Sequence, residues 1–154
     1  MRITNFLAAA LLVVKAAAAA AARIGFTTYK EIREGFDNSA AIEYSSLDRS
    51  STLFLYIQIV AGQDHQQTID DFRVLAQNYG SNGVAVIPRV RYGNSGGSVV
   101  AEPSNSSVIL NDAATWAAVF AGVSGTIEIP VIQAGFLGLW GEWHVRFVYY
   151  YHHP

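Results

Sequence analysis

A carboxylate enclosed by two tryptophans is the group in this sequence best suited to chemistry. Trp140, Glu142 and Trp143 follow one another closely near the end of the 154-residue chain. Large apolar surfaces disfavour the charged form of a carboxylate, so we expect a raised pKa for Glu142. A protonated carboxylic acid can donate its proton to a glycosidic oxygen, as a general acid does. The other interpretation is that the tryptophans are core residues, like Phe136, and that Glu142 is a surface acid or a structural hydrogen-bond partner.

The elements before this carboxylate have to position it. The residues from Ile127 to Ile132 are mostly β-branched, which predicts a strand buried on both faces in a parallel sheet. Glycines then recur at every third position, at Gly135, Gly138 and Gly141. Because glycine adopts positive φ angles and allows another group to approach closely, this spacing predicts a loop over a pocket.

The composition limits the classes of partner. There are 10 Lys and Arg residues against 12 Asp and Glu residues, without a basic run, which argues against a nucleic-acid-binding surface. The 8 tyrosines, 8 phenylalanines and 3 tryptophans provide flat surfaces that suit sugar stacking as well as core packing. Cysteine is absent, which removes disulfides and thiolate metal sites. We predict no cofactor and no metal site.

Residues 1–22 have the layout of a secretory signal peptide. A positive charge precedes the apolar run from Phe6 to Val14, and a run of alanines follows. The apolar run is too short to span a bilayer of ~30 Å, so we predict a secreted, extracellular protein without a stable membrane anchor. We expect cleavage close to Ala20 or Ala22. Lys15 interrupts the layout, and the alternatives are an alanine-rich helix or an uncleaved anchor.

Strands and helices alternate after this segment. The pattern of residues 23–52 is poor and predicts a mostly irregular region, with at most a short strand near Ile24 to Tyr29. Leu53 to Val60 is almost uninterrupted in apolar and β-branched residues, which predicts a central strand. Apolar residues at helical spacing predict a helix from Gln66 to Tyr79, and Val84 to Tyr92 predicts the next strand.

A loop and a second helix continue the pattern. Gly93 to Ser107 is rich in Gly and Ser and carries the sole glycosylation sequon, at Asn105. We expect Asn111 or Asp112 to cap the helix that follows. The residues of its inward stripe are Trp116, Val119 and Phe120.

This order of strand, helix and strand with short links predicts a repeated, right-handed parallel α/β unit. In parallel α/β folds, ligands bind beyond the carboxyl ends of the strands. Glu142 and His144 follow the last predicted strand, and Arg89, Arg91 and Tyr92 end the strand before it. We therefore expect polar groups from two segments at one end of the sheet, with the two arginines on one face.

The most specific motif is QAGFLGLWGEWH, which runs from Gln133 to His144. It resembles the signature of the domain of unknown function 4874 family, whose members are secreted bacterial and fungal proteins with a barrel domain and a second β-rich domain. The strand VIPRVRY also ends in Arg89 and Tyr92, where that family shows an Arg-Phe-x-Tyr pattern. The chain departs from the family at Phe36-Asp37-Asn38, because the usual Asn-Pro-x-Arg-Gly-Phe opening is missing.

The resemblance implies a partial (β/α)8 TIM-type barrel, about the first half only, over residues 53–144, followed by a non-family tail at 145–154. It implies that Glu142 is the catalytic acid, placed after about the fourth strand. The expected substrate-binding residues are Arg89, Tyr92, Gln133, Trp140, Trp143 and His144. A whole barrel takes about 250 residues, and hydrolysis needs a second carboxylate about 5 to 10 Å from the first. We therefore expect this chain alone to be inactive.

Three functions remain open. The favoured one is a glycoside hydrolase-like secreted barrel domain that acts on or binds carbohydrate. The second is a non-catalytic carbohydrate-binding protein in which Trp140 and Trp143 stack on sugar faces. The third, which we expect for this exact chain, is a non-functional truncated fragment, so that the first describes the ancestral function. In each case unpaired strand edges, for example from Val145 to Tyr151, could cause self-association.

Overall fold

Three parallel strands form the sheet around which the other elements are arranged. The computed structural model describes residues 27–45 and 52–138. The strands are β1 (Thr27–Arg33), β2 (Thr52–Val60) and β3 (Ala85–Gly93), in the order β1-β2-β3. The helices are α1 (Ser39–Ile42), α2 (Gln66–Gly80) and α3 (Ser106–Gly122). The predicted α/β class is confirmed, as are β2, α2 and β3 to within one residue or so of their predicted ends.

Alternation along β2 explains where the core lies. Every second side chain of β2 is completely buried and packs in one cluster with residues of both long helices. These β2 residues are Leu53, Leu55, Ile57 and Ile59. The helices contribute aromatic rings, and the centroid of Phe72 on α2 lies 6.1 Å from Trp116 and 5.4 Å from Phe120 on α3. The predicted inward stripe of α3 is therefore confirmed. We call this helix-covered side of the sheet the helix face.

The region before β2 is more ordered than predicted. β1 pairs with β2 along its whole length, from Thr27 with Thr52 to Arg33 with Gln58. It overlaps the short strand expected near Ile24 to Tyr29 only at its start, so the prediction of a mostly irregular region was wrong here. This strand could not be predicted from the sequence, because few of its residues are apolar. Ile32 is its one residue in the buried core.

Helix α3 begins earlier than predicted. Asn105 is its N-cap, and the Asn105 side chain accepts a hydrogen bond from the Ser107 backbone N–H at 3.0 Å. The expected caps, Asn111 and Asp112, lie inside the helix instead. Asp112 is fully buried, which a solvent-exposed cap would not be. Its side chain forms hydrogen bonds on the helix face, as described below.

The strand predicted from Ile127 to Ile132 is not formed. This segment and the loop that follows it lie beside β3 and form three backbone hydrogen bonds with it, from Val86 N to Glu128 O, from Gln133 N to Pro88 O and from Phe136 N to Val90 O. A regular parallel ladder would also need N–H donors at positions 88 and 130. Both residues are prolines, which have no N–H to donate.

Burial along this segment also differs from the prediction. Ile127 is buried, but Val131 and Ile132 are each about half exposed, at 51% and 52%. The expectation of a strand buried on both faces was therefore wrong, because only the start of the segment reaches the core. The segment still carries the chain along the edge of β3 toward the glycine-rich loop.

Candidate functional site

The side of the sheet opposite the helix face carries three rows of side chains, which we call the site face. The strand register aligns each row across all three strands. The rows, from the amino end to the carboxyl end of the strands, are Tyr29, Phe54 and Ile87, then Glu31, Tyr56 and Arg89, then Arg33, Gln58 and Arg91. The site face therefore changes from apolar to charged toward the end of the sheet where parallel α/β folds bind ligands.

Aromatic rings occupy the first two rows. The centroid of Tyr56 lies 5.4 Å from Tyr29 and 5.2 Å from Phe54, both in edge-on geometry. Tyr29 leaves 55% of its surface exposed. Stacked and edge-on rings of this kind hold one another in place and form a flat surface that is partly exposed to solvent.

Two guanidinium groups lie over the same tyrosine ring. The Arg91 guanidinium carbon is 4.1 Å from the Tyr56 centroid, and that of Arg89 is 5.6 Å away. Arg89 Nη1 also donates to the Tyr56 hydroxyl at 3.2 Å, and its Nε donates to the Ala134 carbonyl at 3.0 Å. The prediction that Arg89 and Arg91 share one face is confirmed. Arg89 also connects the site face to the loop that follows the 127–132 segment.

Glu31 joins the arginines of the third row. Its Oε2 accepts from Arg33 Nη2 at 2.6 Å, and its Oε1 accepts from Arg91 Nη2. Burial alone would raise the pKa of Glu31, but these hydrogen bonds and the two positive charges outweigh it and lower the pKa. Glu31 is therefore an ionised acceptor in the middle of the site face.

The helix face carries a different polar group, which we call the clasp: Glu34, His65, Tyr92 and Asp112. His65 Nδ1 lies 3.0 Å from Glu34 Oε2, and its Nε2 lies 3.2 Å from Asp112 Oδ1. Tyr92 donates its hydroxyl proton to Asp112 Oδ2 at 3.0 Å. These residues follow β1, follow β2, end β3 and lie in α3, so the clasp ties four elements together.

Burial makes the clasp strongly electrostatic. His65 and Asp112 are almost inaccessible. Burial alone would lower the pKa of His65, but the hydrogen bonds to Glu34 and Asp112 outweigh it and raise the pKa. Burial and the nearby Asp112 charge raise the pKa of Tyr92 far above its ordinary value. His65 is favoured as an imidazolium between two carboxylates, with Tyr92 as a neutral donor.

The structure separates two residues that were expected to share a pocket. Arg89 lies on the site face, whereas Tyr92 lies on the helix face as part of the clasp, because positions 89 and 92 differ by an odd number along the strand. Both residues lie near the carboxyl end of β3, and their roles in substrate binding stay predictions. Gln133 is exposed and lines an apolar cavity of about 550 Å³ between α3 and the 132–137 loop.

The glycine-rich loop behaves as its spacing predicted where it is described. A Cβ at Gly135 would lie 1.7 Å from the Val90 carbonyl oxygen, so only glycine permits this close approach to β3. Gly138 has a φ of +81°, and its N–H donates to Glu102 at 2.6 Å. These contacts fix the start of the loop that leads toward Glu142.

The remaining predicted positions lie outside the described residues: Trp140, Gly141, Glu142, Trp143, His144, residues 1–22 and residues 145–154. Within residues 27–45 and 52–138, no three His, Cys, Asp or Glu side chains are grouped to hold a metal ion. None of the helices that the structure describes is both long and apolar enough to cross a membrane.

Sequence reasoning missed Glu31, Tyr56 and Gln58 on the site face, and Glu34 in the clasp. His65 was also not among the predicted site residues. The available signal was alternation: once β1 is recognised, residues 29, 31 and 33 share one face. The hydrogen bonds of the clasp join residues up to 47 positions apart in sequence, which no local pattern reveals.

Comparisons with known proteins add no relative. No protein-family model, no curated protein and no solved structure matches this chain. The resemblance to the domain of unknown function 4874 family therefore stays a prediction, and the functional argument depends on the geometry of the chain itself.

Proposed function

We propose that the described residues form the first strand and helix units of a glycoside hydrolase-like (β/α)8 barrel, whose site face binds carbohydrate. The observation that carries this proposal is the ordering of the three rows from apolar to charged. In such barrels the inward side chains pack the amino end and bind ligands at the carboxyl end. In a two-layer α/β domain this face of the sheet would be covered by the second layer. Rows that change from apolar to arginine-rich would not be needed there.

The chemistry of the site face matches a sugar. Arg33, Arg89 and Arg91 donate hydrogen bonds from planar groups, and Glu31 is an ionised acceptor. Tyr56, in the middle row, provides aromatic surface for the C–H face of a pyranose ring. Sugars present hydroxyl groups around an apolar ring face, so they need donors, acceptors and aromatic surface together.

A titration of the full chain with neutral oligosaccharides tests the proposal. Cellohexaose, xylohexaose, laminarihexaose and chitohexaose would be added separately while tryptophan and tyrosine fluorescence is recorded. We expect saturable binding of at least one of them, and an affinity about 10-fold lower for Arg89→Ala, because a charged hydrogen bond contributes about 1.5 to 3 kcal/mol. A flat titration with all four sugars contradicts carbohydrate binding.

A matched arginine provides the control. Arg73 lies on α2, where it pairs with Asp70 at 2.9 Å in an exposed ion pair. We expect Arg73→Ala to bind the same sugar with unchanged affinity. An equal loss in both variants would show a general effect on folding or charge instead of a contact on the site face.

Hydrolysis is the further part of this proposal, with Glu142 as the acid. We expect Glu142→Gln to abolish any turnover of a bound oligosaccharide and to preserve its binding. Turnover that persists in this variant excludes the assigned role of Glu142. Binding without turnover by the unaltered chain supports the non-catalytic carbohydrate-binding alternative.

The secretory route is proposed on the sequence of residues 1–22. Expression in a secreting host should release a protein whose first residue follows Ala20 or Ala22, as read by N-terminal sequencing. Retention of the intact N-terminus in the cell would contradict this part of the proposal.

A further inference from the structure

Gln58 is the polar side chain of the site face that the contacts described above leave unexplained. It lies in the third row, between Arg33 and Arg91 in the register. The residue is 2% exposed, and no donor within the described residues reaches its Oε1. Leaving a buried acceptor unsatisfied destabilises the fold, because its hydrogen bonds to water are lost and not replaced. A structural role for this amide does not account for this destabilisation.

The direction of the Gln58 side chain is fixed by Gly93. A Cβ added to Gly93 would lie 2.3 Å from Gln58 Nε2, 2.4 Å from Cδ and 2.5 Å from Cγ. Gln58 pairs with Arg91 in the register, and Gly93 lies two residues farther along β3. The amide is therefore directed toward the carboxyl end of the sheet, and the missing side chain at position 93 provides its space.

We infer that the Gln58 amide is a binding group for a sugar hydroxyl at the carboxyl end of the site face. This inference depends on the proposed carbohydrate binding and adds a residue that determines specificity. An amide offers one acceptor and two donor positions, so it pairs well with a hydroxyl, which both donates and accepts. The hydroxyl proton is donated to Oε1, which satisfies the buried acceptor only when sugar is bound.

The arrangement predicts opposite effects on stability and binding. Gln58→Met keeps a similar side-chain length and removes the unsatisfied oxygen, so we expect a higher melting temperature than that of the unaltered chain. We expect the same variant to bind the best of the four hexasaccharides about 5-fold more weakly, as for the loss of one neutral hydrogen bond. Calorimetry measures both quantities on the full chain.

A second variant tests the same contact from the other side. Gly93→Ala places a Cβ where the Gln58 amide lies, so the amide must move. We expect a similar loss of affinity for the sugar. We expect the losses not to add, so that the double variant Gln58→Met with Gly93→Ala binds about as tightly as whichever single variant has the lower affinity. Gln77 is exposed on α2, and Gln77→Met should change neither quantity.

The outcomes separate this inference from the proposed function. Unchanged affinity in Gln58→Met and Gly93→Ala, with sugar still binding, overturns the role of Gln58 and assigns its oxygen to a structural water. Additive losses in the double variant also overturn it, because the two positions would then act independently. Absence of sugar binding by the unaltered chain overturns the proposed function and this inference with it.

Discussion

The two faces of the sheet use polar residues in different ways. On the helix face, the hydrogen-bond partners of Glu34, His65, Tyr92 and Asp112 within the described part of the chain are one another and the backbone. On the site face, Glu31 pairs with Arg33 on its own strand and with Arg91 on β3, and Arg89 pairs with Tyr56 on β2, in a surface that is partly open to solvent. Burial of a titratable group therefore does not by itself indicate function.

The difference lies in what the polar groups hold together. The clasp connects the ends of three strands to α3, so its loss separates elements. The site face connects neighbouring strands that the backbone ladder already holds. Changes in the clasp should therefore alter stability, and changes on the site face should alter binding more than stability.

The largest expected effect is that of Asp112→Ala. It leaves His65 and Tyr92 buried without their shared acceptor, and removal of one partner from a buried charged pair costs about 3 to 5 kcal/mol. Urea denaturation followed by circular dichroism measures the loss. Asp70→Ala removes an exposed carboxylate that pairs with Arg73 in solvent, and it should leave stability nearly unchanged. Equal effects of the two substitutions would contradict the clasp.

Glu31→Gln tests the site face in the same assay. The amide cannot serve two guanidinium groups as the carboxylate does, so we expect a loss of about 1 to 3 kcal/mol, smaller than that of Asp112→Ala. Because the folded pKa of Glu31 is lowered from 4.5, its contribution is present above that pH and is lost as the pH falls. A loss larger than that of Asp112→Ala would reverse the comparison.

His65 gives the helix face the opposite pH dependence. Its folded pKa is raised above 6.5, so its contribution is complete below about pH 6.5 and is lost as the pH rises through the folded pKa. Urea midpoints measured from pH 6 to pH 9 should fall for the unaltered chain and stay flatter for His65→Gln. Parallel curves for the two proteins would show that His65 is not charged in the folded state.

The smallest expected effect concerns Asn105, which has two separable roles. Asn105→Ala removes the α3 cap and the sequon, and should cost about 1 kcal/mol. Ser107→Ala removes only the sequon, since the cap uses the Ser107 backbone N–H. In protein from a eukaryotic secreting host, both variants should lose glycan mass, whereas only Asn105→Ala should melt earlier. An unchanged mass in both would contradict glycosylation at Asn105.

The repeating apolar segments could be predicted from the sequence because burial determined their residue types. β2 and the inward residues of α3 are continuous or periodic in apolar side chains, and both were recognised. β1 was missed because two of its site-face residues, Glu31 and Arg33, are charged. The segment after Ile127 was overpredicted because β-branched residues outweighed the effect of Pro88 and Pro130 on backbone pairing.

The site could be predicted only in part for a related reason. Arg89 and Arg91 were placed together because period-two alternation is local. Tyr92 was assigned to the same pocket on a motif, although its odd spacing from Arg89 puts it on the other face. Gln58 could not be recognised at all, since its meaning depends on register with Arg91 and on the space left by Gly93.

An NMR titration tests directly whether the site face binds carbohydrate. The full chain would be labelled with ¹⁵N and titrated with the four hexasaccharides while backbone amide and arginine Nε resonances are recorded. We predict shifts concentrated in the carboxyl halves of β1, β2 and β3 and at Arg89 and Arg91, with α2 unaffected. Shifts confined to the helices, or no shifts with any of the four sugars, would contradict the assignment of the site face as a carbohydrate site.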